Sequence, residues 1–206
     1  TAPRAAPVRT IARVPSIRLH QGVFRPVECA YVQALAAPHL RPSDVIDPAT
    51  GRVVVDPYRT GCHMQFVPAH SDVVIASIDW RLAALTGTRL GQGESLSVLV
   101  YRPGEQYKPH WDHLVDTADE KLSRLKASGQ RLYTALITLD ERFKGGETAF
   151  TDIGVKVRGR LGDVLVFRNL DDAGRPDMLT MHAGLPVADG VKWLASKWIR
   201  ERHFAL

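Results

Sequence analysis

Two segments constrain this 206-residue chain more than any others. They are Tyr101-Arg-Pro-Gly-Glu-Gln-Tyr-Lys-Pro-His110-Trp-Asp112 and His182-Ala-Gly-Leu-Pro-Val, with Lys192 ten positions past the second histidine. On a strand, residues two apart project from one face. A strand carrying His110 and Asp112 therefore presents both side chains together, and His182 joins them from a later strand at the mouth of a barrel. Two imidazoles and one carboxylate with open positions form a ligand set suited to redox-active Fe(II). No thiolate lies nearby, which disfavours a structural zinc site. Read alone, the His-x-Asp pair fits equally well an imidazole donating to its neighbour. The complete set in order, with Lys192 and the Gly145-Gly146-Glu147-Thr148 turn between, favours the metal.

The rest of the chain reads as helices first and short strands afterwards. Residues 27–40 have helical apolar spacing, with Pro26 at the start and Pro38 at the end. A second helix covers 71–86, with Ser71 or Asp72 as its cap. Strand patterns occupy 94–101, 131–139, 155–157, 163–167 and 193–199. Residues 43–62 read as a loop or irregular hairpin, and the polar stretch 114–129 as a flap or short exposed helix. This order predicts an α+β fold with a β-sandwich or barrel core.

Size and a hydrophobic content of 45% suit one globular domain. No apolar run is long enough to span a bilayer as a helix, and no membrane association is expected. The formal charge of +5 is unevenly spread. Arg4, Arg9, Arg13 and Arg18 precede the first acid, Glu28, leaving 23 basic against 22 acidic residues. Residues 1–19 therefore read as a flexible basic tail and 20–206 as the functional domain. Specific nucleic-acid binding is not expected. Cys29 and Cys62 lack metal-site spacing and read as free thiols, consistent with a cytoplasmic location.

Taken together, these motifs resemble the prolyl 4-hydroxylase family of 2-oxoglutarate- and Fe(II)-dependent dioxygenases, closest to its collagen-type branch in plants, algae and bacteria. The matching residues are Tyr101-x-x-Gly104-x-x-Tyr107-x-x-His110-x-Asp112, Arg131-x-x-Thr134, Gly145-Gly146-Glu147-Thr148-x-Phe150, Gly162-Asp163-x-Leu165-x-Phe167, His182-Ala-Gly-x-Pro-Val, Gly190-x-Lys192-Trp193 and Trp198. Arg59-Thr60-Gly61 is similar to an upstream Arg-Thr-Ser segment of the family. The resemblance implies a double-stranded β-helix (jelly-roll) core with supporting N-terminal helices. It implies a metal on His110, Asp112 and His182, and O2 and 2-oxoglutarate as co-substrates yielding succinate and CO2. It further implies ascorbate as reductant and C4 hydroxylation of prolyl residues in a peptide or protein. Another residue, a free amino acid or a small metabolite is the alternative substrate.

The resemblance also implies roles for further residues. Lys192 pairs with the distal carboxylate of 2-oxoglutarate, helped by Tyr101 and Thr148; Thr138, on a strand pointing toward the core, is a weaker candidate from its position alone. Glu94, Tyr107, Arg131 and Trp198 surround the substrate groove, although Glu94 and Arg131 also read as a plain salt bridge. Segments 46–61 and 114–129 correspond to lids. Trp111 reads as core. His20, His39, His63, His70, His113 and His203 read as surface or packing residues. Arg200 stands where algal-type enzymes carry a histidine, which leaves the peptide contact open. Oligomeric state is not legible.

Overall fold

The computed structural model describes residues 6–46, 53–56, 58–114 and 127–204. The chain opens with β1 (Val8–Ala12) and β2 (Ile17–His20), then α1 (Pro26–Ala36), β3 (Arg41–Pro42), β4 (Asp44–Ile46), β5 (Val53–Val55), β6 (Cys62–Gln65) and α2 (Val73–Thr86). Next come β7 (Ser97–Tyr101), β8 (Tyr107–His110), β9 (Arg131–Thr138), β10 (Phe143–Gly145), β11 (Thr148–Phe150) and β12 (Val155–Val157). The last strands are β13 (Val164–Arg168), β14 (His182–Gly184), β15 (Val187–Gly190) and β16 (Lys192–Arg200).

The large antiparallel sheet runs β1-β2-β13-β9-β16-β7-β6-β3, and a four-stranded sheet runs β12-β11-β14-β8. Their inner faces share one apolar core, with Leu136, Phe167 and Leu194 of the large sheet packed among Phe150 and Val157 of the small one. This is the expected jelly roll. Alternation along β16 sorts its side chains between two environments. Lys192, Leu194, Ser196 and Trp198 face the space between the sheets. Trp193 and Ala195 face the helices, whose Val32, Ile75, Ile78 and Leu82 cover the outer side.

Local chemistry sets the boundaries. Pro26 occupies the first turn of α1. Asp72 caps α2 by accepting from Val74 N at 2.9 Å and Ile75 N at 3.0 Å. Gly87 ends α2 with φ 66°. The Gly145-Gly146 corner between β10 and β11 needs positive φ (68° and 66°), and a Cβ on Gly145 would lie 2.6 Å from Pro186 O. That corner turns the chain so that Thr148 pairs with Gly184.

The structure corrects the tail reading for residues 8–19, while residues 1–5 lie outside the described residues. Val8–Ala12 and Ile17–His20 form a hairpin, and β2 pairs in register with β13. Ile17 is fully buried and Leu19 nearly so. Arg18 alternates with these apolar residues and points outward from β2. The flap expected at 114–129 falls largely on residues 115–126, outside the described residues, as do parts of 46–61. No helix among the described residues is long and apolar enough to cross a membrane.

Candidate active site

His110 closes β8, and His182 opens the adjacent β14 directly opposite it. Asp112 is not on the strand. It sits in the bend after β8 and turns back toward both imidazoles. Its Oδ1 lies 3.8 Å from His110 Nε2 and its Oδ2 3.5 Å from His182 Nε2. All three ligand atoms fall within 4.8 Å of one another.

The donor set fits a divalent metal on its own chemistry. Nδ1 of His110 lies 2.8 Å from Lys108 O, and Nδ1 of His182 lies 2.9 Å from Thr180 O. A carbonyl only accepts, so each Nδ1 carries the proton and each Nε2 turns a lone pair inward. Burial, then the neighbouring His182, pushes the His110 pKa down to about 4, which keeps that lone pair free at neutral pH. Burial pushes the Asp112 carboxyl up, but His182, His110, the Thr134 hydroxyl and Arg131 together hold it below its ordinary value.

Thr134 donates to Asp112 Oδ2 at 2.7 Å, and the Asn169 amide donates to Thr134 Oγ1 at 2.9 Å. Thr134 and Asn169 are fully buried. This chain of donors orients the carboxylate. Thr134 entered the sequence reading only as a motif residue, and nothing local marks Asn169.

The triad opens onto a cavity of about 220 Å3 lined by Tyr101, Tyr107, Leu136, Lys192, Leu194 and Trp198, among others. Lys192 is 5% exposed, and among the described residues no carboxylate pairs with it. Its Nζ lies 5.6 Å from the Tyr101 ring centroid. Burial pushes its pKa down to about 8, although Glu147 opposes this. Tyr101 is buried beside it, and burial raises its phenol above the usual range. Thr148 is buried opposite Gly184. Neither it nor Thr138 lines the cavity, and Thr138 instead faces Gly159.

Tyr107 stacks on His110 with centroids 3.6 Å apart, and Arg59 lies 5.6 Å from the same ring. Arg131 stacks on Trp198 at 3.5 Å and donates to Asp112 O at 3.3 Å. Glu94 accepts from Arg131 Nε at 2.8 Å and Nη2 at 3.0 Å, and Arg200 Nε lies 2.7 Å from it. The plain salt-bridge reading of Glu94 and Arg131 therefore describes the contact, and both Glu94 oxygens are engaged. Trp111 is half-buried and donates to Met178 O at 3.0 Å, so it is not core. His63, read as packing, lines the cavity, whereas His113 does not.

A sequence signature of the 2OG-Fe(II) oxygenase superfamily matches residues 96–200. Prolyl 4-hydroxylase 1 of Arabidopsis thaliana is 33% identical over 202 residues, covering 91% of this chain and 70% of that protein. Prolyl 4-hydroxylase subunit alpha-1 of Rattus norvegicus is 33% identical over 186 residues, but the chain spans only 34% of its length. The 2OG complex of the viral collagen prolyl hydroxylase from Paramecium Bursaria Chlorella virus-1 superposes with a TM-score of 0.68 at 26% identity, over 89% of this chain and 95% of that one. The chain thus belongs to the 2OG-Fe(II) oxygenases and, among them, to the prolyl 4-hydroxylase family of enzymes.

Proposed function

We propose that this chain hydroxylates prolyl residues of a peptide or protein at C4, with His110, Asp112 and His182 holding Fe(II). The observation that carries the reading is the convergence of two Nε2 lone pairs and one oriented carboxylate on a cavity also lined by Lys192, a buried ammonium with no carboxylate partner among the described residues. Bound Fe(II) supplies the redox chemistry that couples decarboxylation of 2-oxoglutarate, to succinate and CO2, to transfer of oxygen from O2 into a substrate C–H bond.

The chain's own residues bind, orient and exclude water. Lys192 receives the distal carboxylate of 2-oxoglutarate, and a charge-assisted bond in so dry a site contributes about 1.5–3 kcal/mol. Tyr101 keeps its proton and serves as a donor there. Thr148 of β11, expected beside them, does not line the cavity and has no part in this reading. Leu136 and Leu194 form the apolar wall along the co-substrate's methylenes.

On the substrate side, Trp198 presents a flat face for a pyrrolidine ring, held in place by the Arg131 guanidinium. Glu94 acts through Arg131 by fixing it and does not touch the peptide. Among the described residues the indole N–H of Trp198 and Nε of Arg59 are buried without hydrogen-bond partners, and both residues line the cavity. Each is a donor for a peptide carbonyl. Tyr107 holds the His110 ring against rotation and adds an aromatic edge to the groove. Ascorbate as reductant and a cytoplasmic location belong to the same reading, the latter supported by two free cysteines.

The test is incubation of the protein with Fe(II), 2-oxoglutarate and a proline-rich peptide library, read by mass spectrometry. A gain of one oxygen on proline with succinate release is expected. Asp112→Ala is expected to lose at least about a hundredfold, roughly 2.7 kcal/mol of barrier. Asp112→Ala activity within tenfold of wild type contradicts the triad.

A further inference from the structure

Across the wall facing the triad runs a row of polar side chains that the reaction itself does not call for. Gln65 of β6, Ser97 of β7 and Ser196 of β16 are successive partners in register, and all three line the active-site cavity. Among the described residues none of their side chains has a hydrogen-bond partner. In the neighbouring rung toward Lys192, Leu194 of β16 and Leu99 of β7 are apolar, and only their β6 neighbour, His63, is polar. Leu136, the partner of Ser196 on β9, is apolar too. Interior positions of a jelly roll are normally filled by such residues. Ser196 is only 5% exposed, and it opens onto the cavity, where its hydroxyl is free to meet a ligand.

We propose that Gln65, Ser97 and Ser196 form a subsite for an uncharged hydrogen-bonding side chain, a hydroxyl or a carboxamide, near the target proline of the substrate. This rests on the prolyl-peptide reading above and narrows it. Hydroxyls and a carboxamide both donate and accept, which matches a side chain that does the same. Asp112 is the only carboxylate lining the cavity among the described residues, so a lysine or arginine finds no counter-charge. A carboxylate finds no cation within the row.

The geometry also sets the position read. Strands lie about 4.8 Å apart, so the row extends roughly 10 Å from β16 to β6. That is the span of about three extended residues. The row shares its cavity with the triad, so the side chain it takes is sought within three residues of the proline.

The test uses capped proline peptides in which each of those positions carries Ala, Ser, Gln or Lys in turn. Binding to the protein loaded with Mn(II) and 2-oxoglutarate is measured by calorimetry, and hydroxylation with Fe(II) by mass spectrometry. At one position Ser or Gln should tighten binding about tenfold over Ala, the gain of one good hydrogen bond, while Lys brings no gain. Gln65→Leu, on an exposed edge position, and Ser97→Ala, a simple truncation, should each reduce that preference below about threefold. A flat profile, an unchanged preference in both variants, or no peptide binding overturns the subsite. So does a change in 2-oxoglutarate binding alone, which would assign the row to the co-substrate. A retained polar preference with no oxygen gained on proline upholds the subsite and rejects the prolyl reading instead.

Discussion

A buried ammonium with no carboxylate beside it destabilises the fold that carries it. The folded pKa of Lys192, about 8, lies below its ordinary value of 10.5. The folded chain thus holds this proton less tightly than the unfolded chain does, and stability rises as pH climbs from about 8 toward the unfolded value. Below about pH 8 the full penalty is present, on the order of 3 kcal/mol. Lys192→Met should therefore raise the melting temperature at pH 7, with the gain vanishing by about pH 10.5. The same change should raise the KM for 2-oxoglutarate by about tenfold or more. In the wild type that KM should climb above about pH 8 as the ammonium is lost. A melting temperature for Lys192→Met equal to or below wild type at pH 7 would contradict the burial argument. Thr134 offers a second test. Thr134→Val removes the donor to Asp112 Oδ2, and Mn(II) titration should show affinity falling about 10–100-fold, with Thr134→Ser restoring it. The ligands themselves were legible because motif order survives in sequence. The Asn169–Thr134 chain was not, because it depends on the register of β13 with β9, where Phe167 faces Thr134 and Asn169 follows just beyond the strand.

Elements differ in how plainly the sequence announces them. Both helices and the longer strands β9, β13 and β16 show period and composition over five or more residues. The three- and four-residue strands β8, β10, β11, β14 and β15 are too short to display a period, and pairing alone defines them. The same limit misassigned Asp112, which was read as continuing a strand that ends at His110. Helix docking is equally invisible in sequence. Lys197 of β16 is buried on the helix side of the sheet and meets Asp79 of α2 at 2.8 Å. One ion pair thus ties α2 to the strand whose other face carries Lys192 and Trp198. Asp79→Asn leaves Lys197 buried without its counter-ion and should cost about 3 kcal/mol, read from the urea midpoint. Pairing Asp79→Leu with Lys197→Met should recover most of that loss. If the single change moves the midpoint by less than a few tenths of a kcal/mol, the pair is not what holds α2.

At the scale of the whole molecule, the basic N-terminal segment serves as the border of the large sheet. β13 carries Val164, Leu165, Val166 and Phe167, all buried, and β9 covers only one of its edges. The other edge is paired by β2, whose Ile17 and Leu19 extend the apolar core between the sheets. β1 then caps β2 with an exposed strand bearing Arg9, and charge on an outermost strand discourages pairing with other chains. Arg9 and Arg18 thus have places on strands of the sheet border that call for no anionic partner. Deleting residues 1–13 removes β1 but keeps β2, and should lower the melting temperature modestly while leaving the protein monodisperse by light scattering. Deleting residues 1–21 uncovers the backbone edge of β13 and part of the core. It should lower the melting temperature far more and produce aggregates. The two histidines lie on the small sheet and Asp112 in the bend after β8, so none of the three is on β1, β2 or β13. Loss of metal binding should therefore follow unfolding in the longer deletion and not precede it. Equal stability of the two deletions would mean that β2 contributes nothing to the sheet it borders.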